Sequence, residues 1–280
     1  MGQMKKSDFL KSYDFTGMTI AVTGATGVLC SEMAITLAEC GANIAMITRN
    51  AASAEAVIAR AGDGAKRMKV FVGDIMSLEG MNKTAAEIAA AFGRVDGLIN
   101  GAGGNNPKAT TNPEQKFFDI PTEAIKYVSD LNLLGTVVPS QAFGKIFAAQ
   151  KKGVILNVTS MNAFRPLTRI AAYSAAKAAV SNFTMWLAVH MAQEYSTEIR
   201  VNAISPGFFL TEQNRFLLTE KETGALTARG KKIIDHTPMG RFGEPNELLG
   251  ATLWLMSPAA KFVTGTVVAV DGGFSAYSGV

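Results

Sequence analysis

Seven short apolar runs rich in β-branched residues recur along the chain: MTIAVT (18–23), NIAMIT (43–48), MKVFVG (68–73), VDGLIN (95–100), GVILNVTS (153–160), IRVNAIS (199–205) and TVVAVD (266–271). Apolar and polar residues hardly alternate within them. A strand with one face in water alternates strictly, so these runs describe strands buried on both faces, as in a parallel sheet. Between them lie Ala-rich, Gly-punctuated segments of helical character, at 28–40, 77–92, 122–150 and 172–195. This alternation predicts an α/β fold, a doubly wound seven-stranded parallel sheet with helices on both faces. No repeat, low-complexity tract or linker interrupts the 280 residues, so one domain over 1–280 is expected, with 1–16 as an N-terminal extension. Segment 208–245 breaks the rhythm with helical pieces and no strand. Ligands of open α/β sheets sit beyond the strands' C-terminal ends, so 208–245 is expected to overhang a site as a substrate lid.

Charge narrows the partners. The net charge is +4, and basic residues cluster only in pairs such as Lys5-Lys6, Lys151-Lys152 and Lys231-Lys232. A nucleic-acid binder carries a basic stripe instead, so no nucleic acid is expected. The N-terminal MGQMKKSDFLKSYDF has no apolar core of a secretory signal, and Gly2 lacks the downstream Ser or Thr of a myristoylation site. Glycines interrupt every uncharged stretch, so no membrane span is expected. Cys30 and Cys40 fall on one expected helix, roughly 15 Å apart, too far for a disulfide, which needs Cα atoms within about 7 Å. That fits a reducing cytoplasm. No metal site is expected.

Two stretches carry chemistry. In IAVTGATGVLCSEM a strand meets a glycine turn and then a helix. Gly24, Thr26, Gly27 and Val28 form the turn, where glycines let backbone N–H groups approach a pyrophosphate at the helix N-terminus. The fingerprint G-x-G-x-x-G is not met, since Cys30 stands at its third glycine, and such a turn equally serves tight packing. In VTSMNAFRPLTRIAAYSAAK, Tyr173 and Lys177 are four residues apart and share a helix face, with Ser160 thirteen residues before the tyrosine. A nearby ammonium favours the phenolate and lowers a phenol's pKa. A phenol so tuned can give a proton to a carbonyl oxygen or take one from an alcohol, and a strand-end hydroxyl at Ser160 can hold that same oxygen.

With these residues in this order, the sequence resembles the short-chain dehydrogenase/reductases over nearly its whole length. The matching pieces are TGATG, then GDI with Asp74 and Ile75, then INGAG with Asn100, Gly101, Ala102 and Gly103. LNLLGT with Asn132 follows, then Ser160, Tyr173 and Lys177, then SPGFFLT with Pro206, Gly207 and Thr211, then VDGG. The resemblance implies a Rossmann-type fold, a nicotinamide cofactor and a homotetramer. It implies that Tyr173 is the general acid/base, Lys177 lowers its pKa and holds the nicotinamide ribose, Ser160 polarises the substrate oxygen and Asn132 anchors a water. It places Asp74 at the adenine and Pro206–Thr211 at the carboxamide. Two positions depart from the family pattern: Cys30, and Gly101 in place of the second Asn of NNAG, which leaves Asn100 to do the positioning.

An acidic residue ending the second strand would repel a 2′-phosphate. Here Thr48 takes that place and Arg49 follows, and a guanidinium suits a phosphate. NADP(H) is therefore expected, with NAD(H) the alternative if Arg49 is a solvated loop residue. For the substrate, Asn105, Asn162, Arg165, Arg169 and Asn214 cluster around the expected pocket. Amides and arginines suit a polyhydroxylated acid, because Arg binds carboxylate bidentately; the plainer reading of Arg165 and Arg169 is an outward-facing loop. His236 reads as structural. The strings SMNAFRPLTRIAAYSAAKAA, PGFFLTEQNRFLLT, HTPMGRFGEP and VDGGFSAYSGV resemble the D-mannonate oxidoreductases (fructuronate reductases) within that family, which implies D-fructuronate and D-mannonate as the sugar-acid substrate pair. Alternatives are a gluconate 5-dehydrogenase-like polyol or sugar-acid dehydrogenase and a 3-oxoacyl reductase, the latter disfavoured by the polar loops. A non-catalytic nucleotide-sensing scaffold would be expected to lose Ser160, Tyr173 or Lys177.

Finally, 122–150 carries Phe143, Ile146 and Phe147, and 172–195 carries Phe183, Met185, Trp186 and Val189. A helix apolar on more than one face buries a second face, which points to a subunit contact unless these residues all share one core face or lie under the lid.

Overall fold

The computed structural model describes residues 6–211 and 215–279. In sequence order it contains α1 (Lys6–Lys11), β1 (Thr19–Thr23), α2 (Val28–Glu39), β2 (Asn43–Thr48), α3 (Ala52–Arg60), β3 (Met68–Val72), α4 (Leu78–Phe92) and β4 (Gly97–Asn100). Then follow α5 (Thr122–Ser129), α6 (Gly135–Gln150), β5 (Gly153–Val158), α7 (Ala171–Glu194) and β6 (Ile199–Pro206). Last come α8 (Arg215–Leu218), α9 (Ala228–Asp235), α10 (Leu249–Met256) and β7 (Val267–Val270). All seven strands pair in parallel in the order β3-β2-β1-β4-β5-β6-β7. The winding direction reverses between β1 and β4, which opens a crevice at their C-terminal ends.

The missing alternation in the strands has a direct cause. Ile20 and Val22 of β1 pack with Met33 and Leu37 of α2 and Leu255 of α10, while Ala21 between them faces the opposite layer. In β2, Ile44 and Met46 point to the first layer and Ala45 and Ile47 to the second, where Met81 and Ile88 of α4 and Leu187 of α7 lie. Both sides are dry, so both must be apolar.

Two expectations change. Segment 122–150 is not one helix: α5 gives way to a π-helical turn at Asp130–Leu134 before α6 begins. Such a widened turn rotates side chains out of α-helical register and recurs at functional sites; here it carries Asn132. Second, Phe143 and Phe147 are completely buried in the protein's own core, with Ile146 packed against it. These two therefore belong to the core face of α6 and do not form a second one. On α7, by contrast, Met185, Trp186 and Val189 are exposed, Trp186 stacking on His190 with ring centroids 4.8 Å apart.

Segment 208–245 holds α8 and α9 and is stitched together at its ends: Gly243 N–H donates to Phe208 O (2.9 Å) and Leu210 N–H to Gly243 O (3.0 Å). Met239 N–H bonds Gly272 O (3.1 Å), fastening the returning stretch of the segment to the turn after β7.

One buried cation supports the far end of the sheet. Arg200 of β6 donates to Leu255 O (2.8 Å) and Ser257 O (3.1 Å), carbonyls at the C-terminal end of α10. Helix C-termini leave carbonyls without intrahelical partners and attract positive charge. Burial lowers the Arg200 pKa to about 10, so it stays charged at neutral pH. Hydrogen bonds from a charged group contribute roughly 1.5–3 kcal/mol each. Arg200→Ala is expected to lower stability by about 3 kcal/mol in urea unfolding; a wild-type midpoint and slope would remove this role from Arg200.

Candidate active site

The C-terminal ends of the strands form a continuous trough of two recesses, about 480 and 740 Å³. Both are floored by Gly24, Gly27, Gly101 and Gly103, which makes them one groove. Towards β2 and β3 the walls are Thr26, Thr48, Arg49, Asp74 and Ile75, with Ala102. Towards β5 and β6 they are Val28, Ser160, Tyr173 and Lys177, closed by Pro206, Gly207 and Thr211.

The floor depends on close backbone approach. Gly24 sits at φ +66, and a Cβ there would lie 2.7 Å from Ala102 N. Gly27 N–H closes the turn on Gly24 O (2.9 Å), and Gly27 then caps α2 without any side-chain bond. The first N–H groups of α2 therefore face the groove with the positive end of the helix dipole. Across from them, Thr23 Oγ1 accepts from Gly101 N–H (3.1 Å) and Ala102 N–H (3.3 Å), holding the loop after β4. Asn132 grips the same loop from the π-helical turn: its Nδ2 donates to Gly104 O (2.7 Å) and Val128 O (2.8 Å), and its Oδ1 accepts from Gly104 N–H (3.2 Å). Its amide is thereby spent on backbone, and the Thr136 hydroxyl donates to its carbonyl (2.9 Å).

Asn100 does not reach the groove. Its Nδ2 donates to Ser140 Oγ and Asn157 Oδ1, both at 2.9 Å, in a buried network that Asn157 extends to Thr184 Oγ1 (2.9 Å). The positioning expected of its side chain on a cofactor is replaced by a structural role beneath the loop, because its polar atoms point into the sheet–helix layer.

Ser160 lies just past β5, Tyr173 in the first turn of α7, and Lys177 one turn further. The Ser160 hydroxyl lies close enough to the Tyr173 phenol to favour the phenolate. Lys177 Nζ donates to Val158 O (2.8 Å) and lies 5.7 Å from the Tyr173 ring centroid. Thr159 Oγ1 donates to Lys177 O (2.8 Å), pinning α7 to the strand end. The three groups meet as their spacing requires, but the electrostatics differ from expectation. Burial pushes the phenol above its ordinary range, opposed only by the Ser160 hydroxyl. Burial also lowers Lys177 to about 8, opposed by its neighbour Cys30. Removing either charge from water costs more than the pair recovers here, so both groups are driven toward their neutral forms.

The five residues expected to meet substrate are scattered. Asn162 is buried beside Ser160, its N–H on Ser160 Oγ (3.3 Å) and its Oδ1 without a partner. Arg165 is exposed and donates to Ser275 O (3.1 Å). Arg169 is exposed and holds φ +76, its carbonyl accepting from Thr111 N–H (2.9 Å). Asn105 is exposed and bonds Thr110 Oγ1 (3.2 Å), and Asn214 lies outside the described residues. The groove also uses residues that were given no role from the sequence: Thr23, Phe208 and Phe209 inside the quoted motifs, and Asn50, Ser53 and Gly104 outside them. Gly104 directly follows INGAG and was within reach of its spacing; Asn50 and Ser53, just past β2, carry no motif and enter only through the tertiary structure.

A parallel sheet of this order with a glycine-floored groove and a Ser-Tyr-Lys cluster defines a dinucleotide-binding oxidoreductase fold. Residues 24–275 match the family model described as enoyl-(acyl carrier protein) reductase. The chain is 47% identical to the uncharacterized oxidoreductase UxuB of Bacillus subtilis, over 95% of this chain and 98% of that one. It is 45% identical to a solved Haemophilus influenzae structure described as a candidate D-mannonate oxidoreductase with bound NAD, covering 96% and 99% of the two chains at a TM-score of 0.89. A gluconate 5-dehydrogenase from Burkholderia cenocepacia, solved with NADP and tartrate, is 28% identical with TM-score 0.83, covering 96% of this chain and 99% of that one. The chain belongs to the short-chain dehydrogenase/reductase family.

The Lys177 pKa makes a stability prediction. Its folded value, about 8, lies below the ordinary 10.5. Below pH 8 both folded and unfolded states carry the proton, and the burial penalty of about 3 kcal/mol acts in full. Between 8 and 10.5 the folded state has shed it while the unfolded state has not, so the penalty fades as pH rises. Relative to Lys177→Met, the wild type should gain about 3 kcal/mol across that window in denaturant titrations. A difference that stays flat with pH would show that Lys177 is not depressed.

Proposed function

We propose that this protein transfers a hydride between a nicotinamide dinucleotide and a sugar acid, reducing the ketone of D-fructuronate to D-mannonate or running the reverse. The observation that carries the reading is the convergence of Ser160, Tyr173 and Lys177 at one end of a glycine-floored groove. The groove fits a dinucleotide: at Gly24 and Gly103 even a Cβ would collide with backbone or with Asn132, and uncapped N–H groups of α2 face it. Gly24, Thr26, Gly27, Val28 and the Gly101–Gly103 loop would seat the pyrophosphate. Asp74 and Ile75 would take the adenine, and Pro206, Gly207 and Thr211 the carboxamide. The bound nicotinamide supplies or accepts the hydride.

The protein's own groups handle the proton. Ser160 donates a hydrogen bond to the substrate oxygen. Tyr173, kept protonated by burial, gives its proton to that oxygen in reduction and recovers it in oxidation. Lys177 holds the ribose hydroxyls and, when protonated, favours the phenolate that forms after transfer. Asn132 acts by fixing Gly104, and through it the loop beside Lys177.

The sugar-acid assignment draws on the Haemophilus relative and on Asn162, buried beside Ser160 with an unpartnered Oδ1; Arg165 and Arg169, in the same loop, are exposed. A left-handed non-glycine residue such as Arg169 persists only where its surroundings fix it, and the bond from Thr111 does so. A gluconate 5-dehydrogenase-like activity is the second reading, favoured by the Burkholderia relative. For the cofactor we favour NADP(H), because Arg49 borders the recess beside Thr48 where an acid would repel phosphate. The NAD in the Haemophilus structure favours NAD(H) as the alternative. Exposed Met185, Trp186 and Val189 support burial of α7 in a homotetramer. Among the described residues no helix is long and apolar enough to cross a membrane, and both cysteines are free, in keeping with a cytoplasmic enzyme.

Steady-state rates with D-fructuronate and related keto acids, with NADPH and NADH in parallel, test both choices. Turnover of other sugar-acid ketones but not fructuronate would refute the substrate, and a large preference for NADH would refute NADP(H). Tyr173→Phe should lower kcat/KM by about 10²–10⁴-fold while dinucleotide affinity stays within a few-fold. Turnover at the wild-type rate would disprove the proton-transfer role.

A further inference from the structure

We infer that Cys30 and Gly101 form one interlocking pair that sets the dinucleotide seat, so that the two departures from the family pattern are a single coupled change. The inference rests on the reading of the groove as a nicotinamide dinucleotide site.

The geometry is specific to the sulfur. Cys30 is buried in the first turn of α2 and borders the β5–β6 side of the groove. A Cβ built on Gly101 would stand 2.1 Å from Cys30 Sγ, so the buried thiol would have to turn to another rotamer or the loop would have to shift. The same Cβ would be 3.4 Å from Cys30 Cβ, an ordinary contact, and 3.1 Å from Thr23 O, a tight one. The backbone of Gly101 is not in the left-handed region. Glycine is therefore demanded at 101 by the sulfur atom and not by φ.

The loop that Gly101 begins is confined on its other sides too. Gly24 leaves no room above Ala102, and a Cβ at Gly103 would lie 2.6 Å from Asn132 Oδ1 and 3.3 Å from Lys177 Nζ. A displacement at 101 is thus transmitted along three residues to the lysine of the catalytic cluster. Where the family pattern has an asparagine side chain at this position, this protein has a thiol packed into the same volume. Burial pushes that thiol up to about 11, so it is present as neutral S–H, a space-filling group. Cys30 is a positioning residue that acts through the 101–103 loop.

The test is a double-mutant cycle read in dinucleotide affinity. NADH and NADPH are titrated by fluorescence against wild type, Gly101→Ala, Cys30→Ala and the double variant, with melting of the ligand-free proteins alongside. Gly101→Ala should weaken binding at least tenfold. Cys30→Ala, which leaves a gap under the seat, should weaken it about threefold. Adding Cys30→Ala to Gly101→Ala should bring affinity back to the level of Cys30→Ala alone, whereas Cys30→Ser, which keeps an atom in the sulfur's place, should not. Should Gly101→Ala fail to fold, the double variant must still fold and bind like Cys30→Ala. Equal losses from Gly101→Ala with or without the sulfur, or no loss at all, overturn the pairing. A wild type that binds neither NADH nor NADPH overturns the reading of the groove itself.

Discussion

The turn after β1 approaches the backbone of the loop after β4 so closely that Gly24 can carry no side chain there. A Cβ at Gly24 would sit 2.7 Å from Ala102 N, and Thr23 Oγ1 holds Gly101 and Ala102 in that position. This contact sits where the winding of the sheet reverses, the one place where helices on opposite faces leave a crevice open. The groove's floor, the exposed N–H groups of α2 and the placement of Gly103 beside Lys177 all follow from it. Loosening the contact would shift Ser160, Tyr173 and Lys177 relative to the floor.

Behind the floor, polar groups are used as rivets. Asn132 spends its amide on Gly104 and Val128, Asn100 on Ser140 and Asn157, and Asn157 on Thr184. Buried polar groups that find partners specify one arrangement and penalise others. The strand ends and α7 are thereby held rigid around Ser160, Tyr173 and Lys177. The same dryness drives Tyr173 and Lys177 toward neutrality.

Much of this was legible beforehand. The seven strands stand within two residues of their apolar runs, because a strand dry on both faces has a local signature. Tyr173 and Lys177 meet because four residues make one helical turn, and Ser160 joins them because a strand end and the next helix start are brought together by the sheet. The break in 122–150 was not legible: five residues of π-helix carry no periodic signal of their own. Nor was the burial of Phe143 and Phe147 on a single face, since pattern shows which residues are apolar but not which layer receives them.

The sequence by itself determined the seven strands, the glycine turn and the shared helix face of Tyr173 and Lys177, all of them consequences of short-range spacing. The tertiary structure decided where Asn100 and Asn132 point, how burial sets the charge of Tyr173 and Lys177, and why Cys30 and Gly101 occur together. Those properties depend on contacts between residues tens of positions apart and on the exclusion of water, and neither exists until the sheet has brought the loops after β1 and β4 into contact.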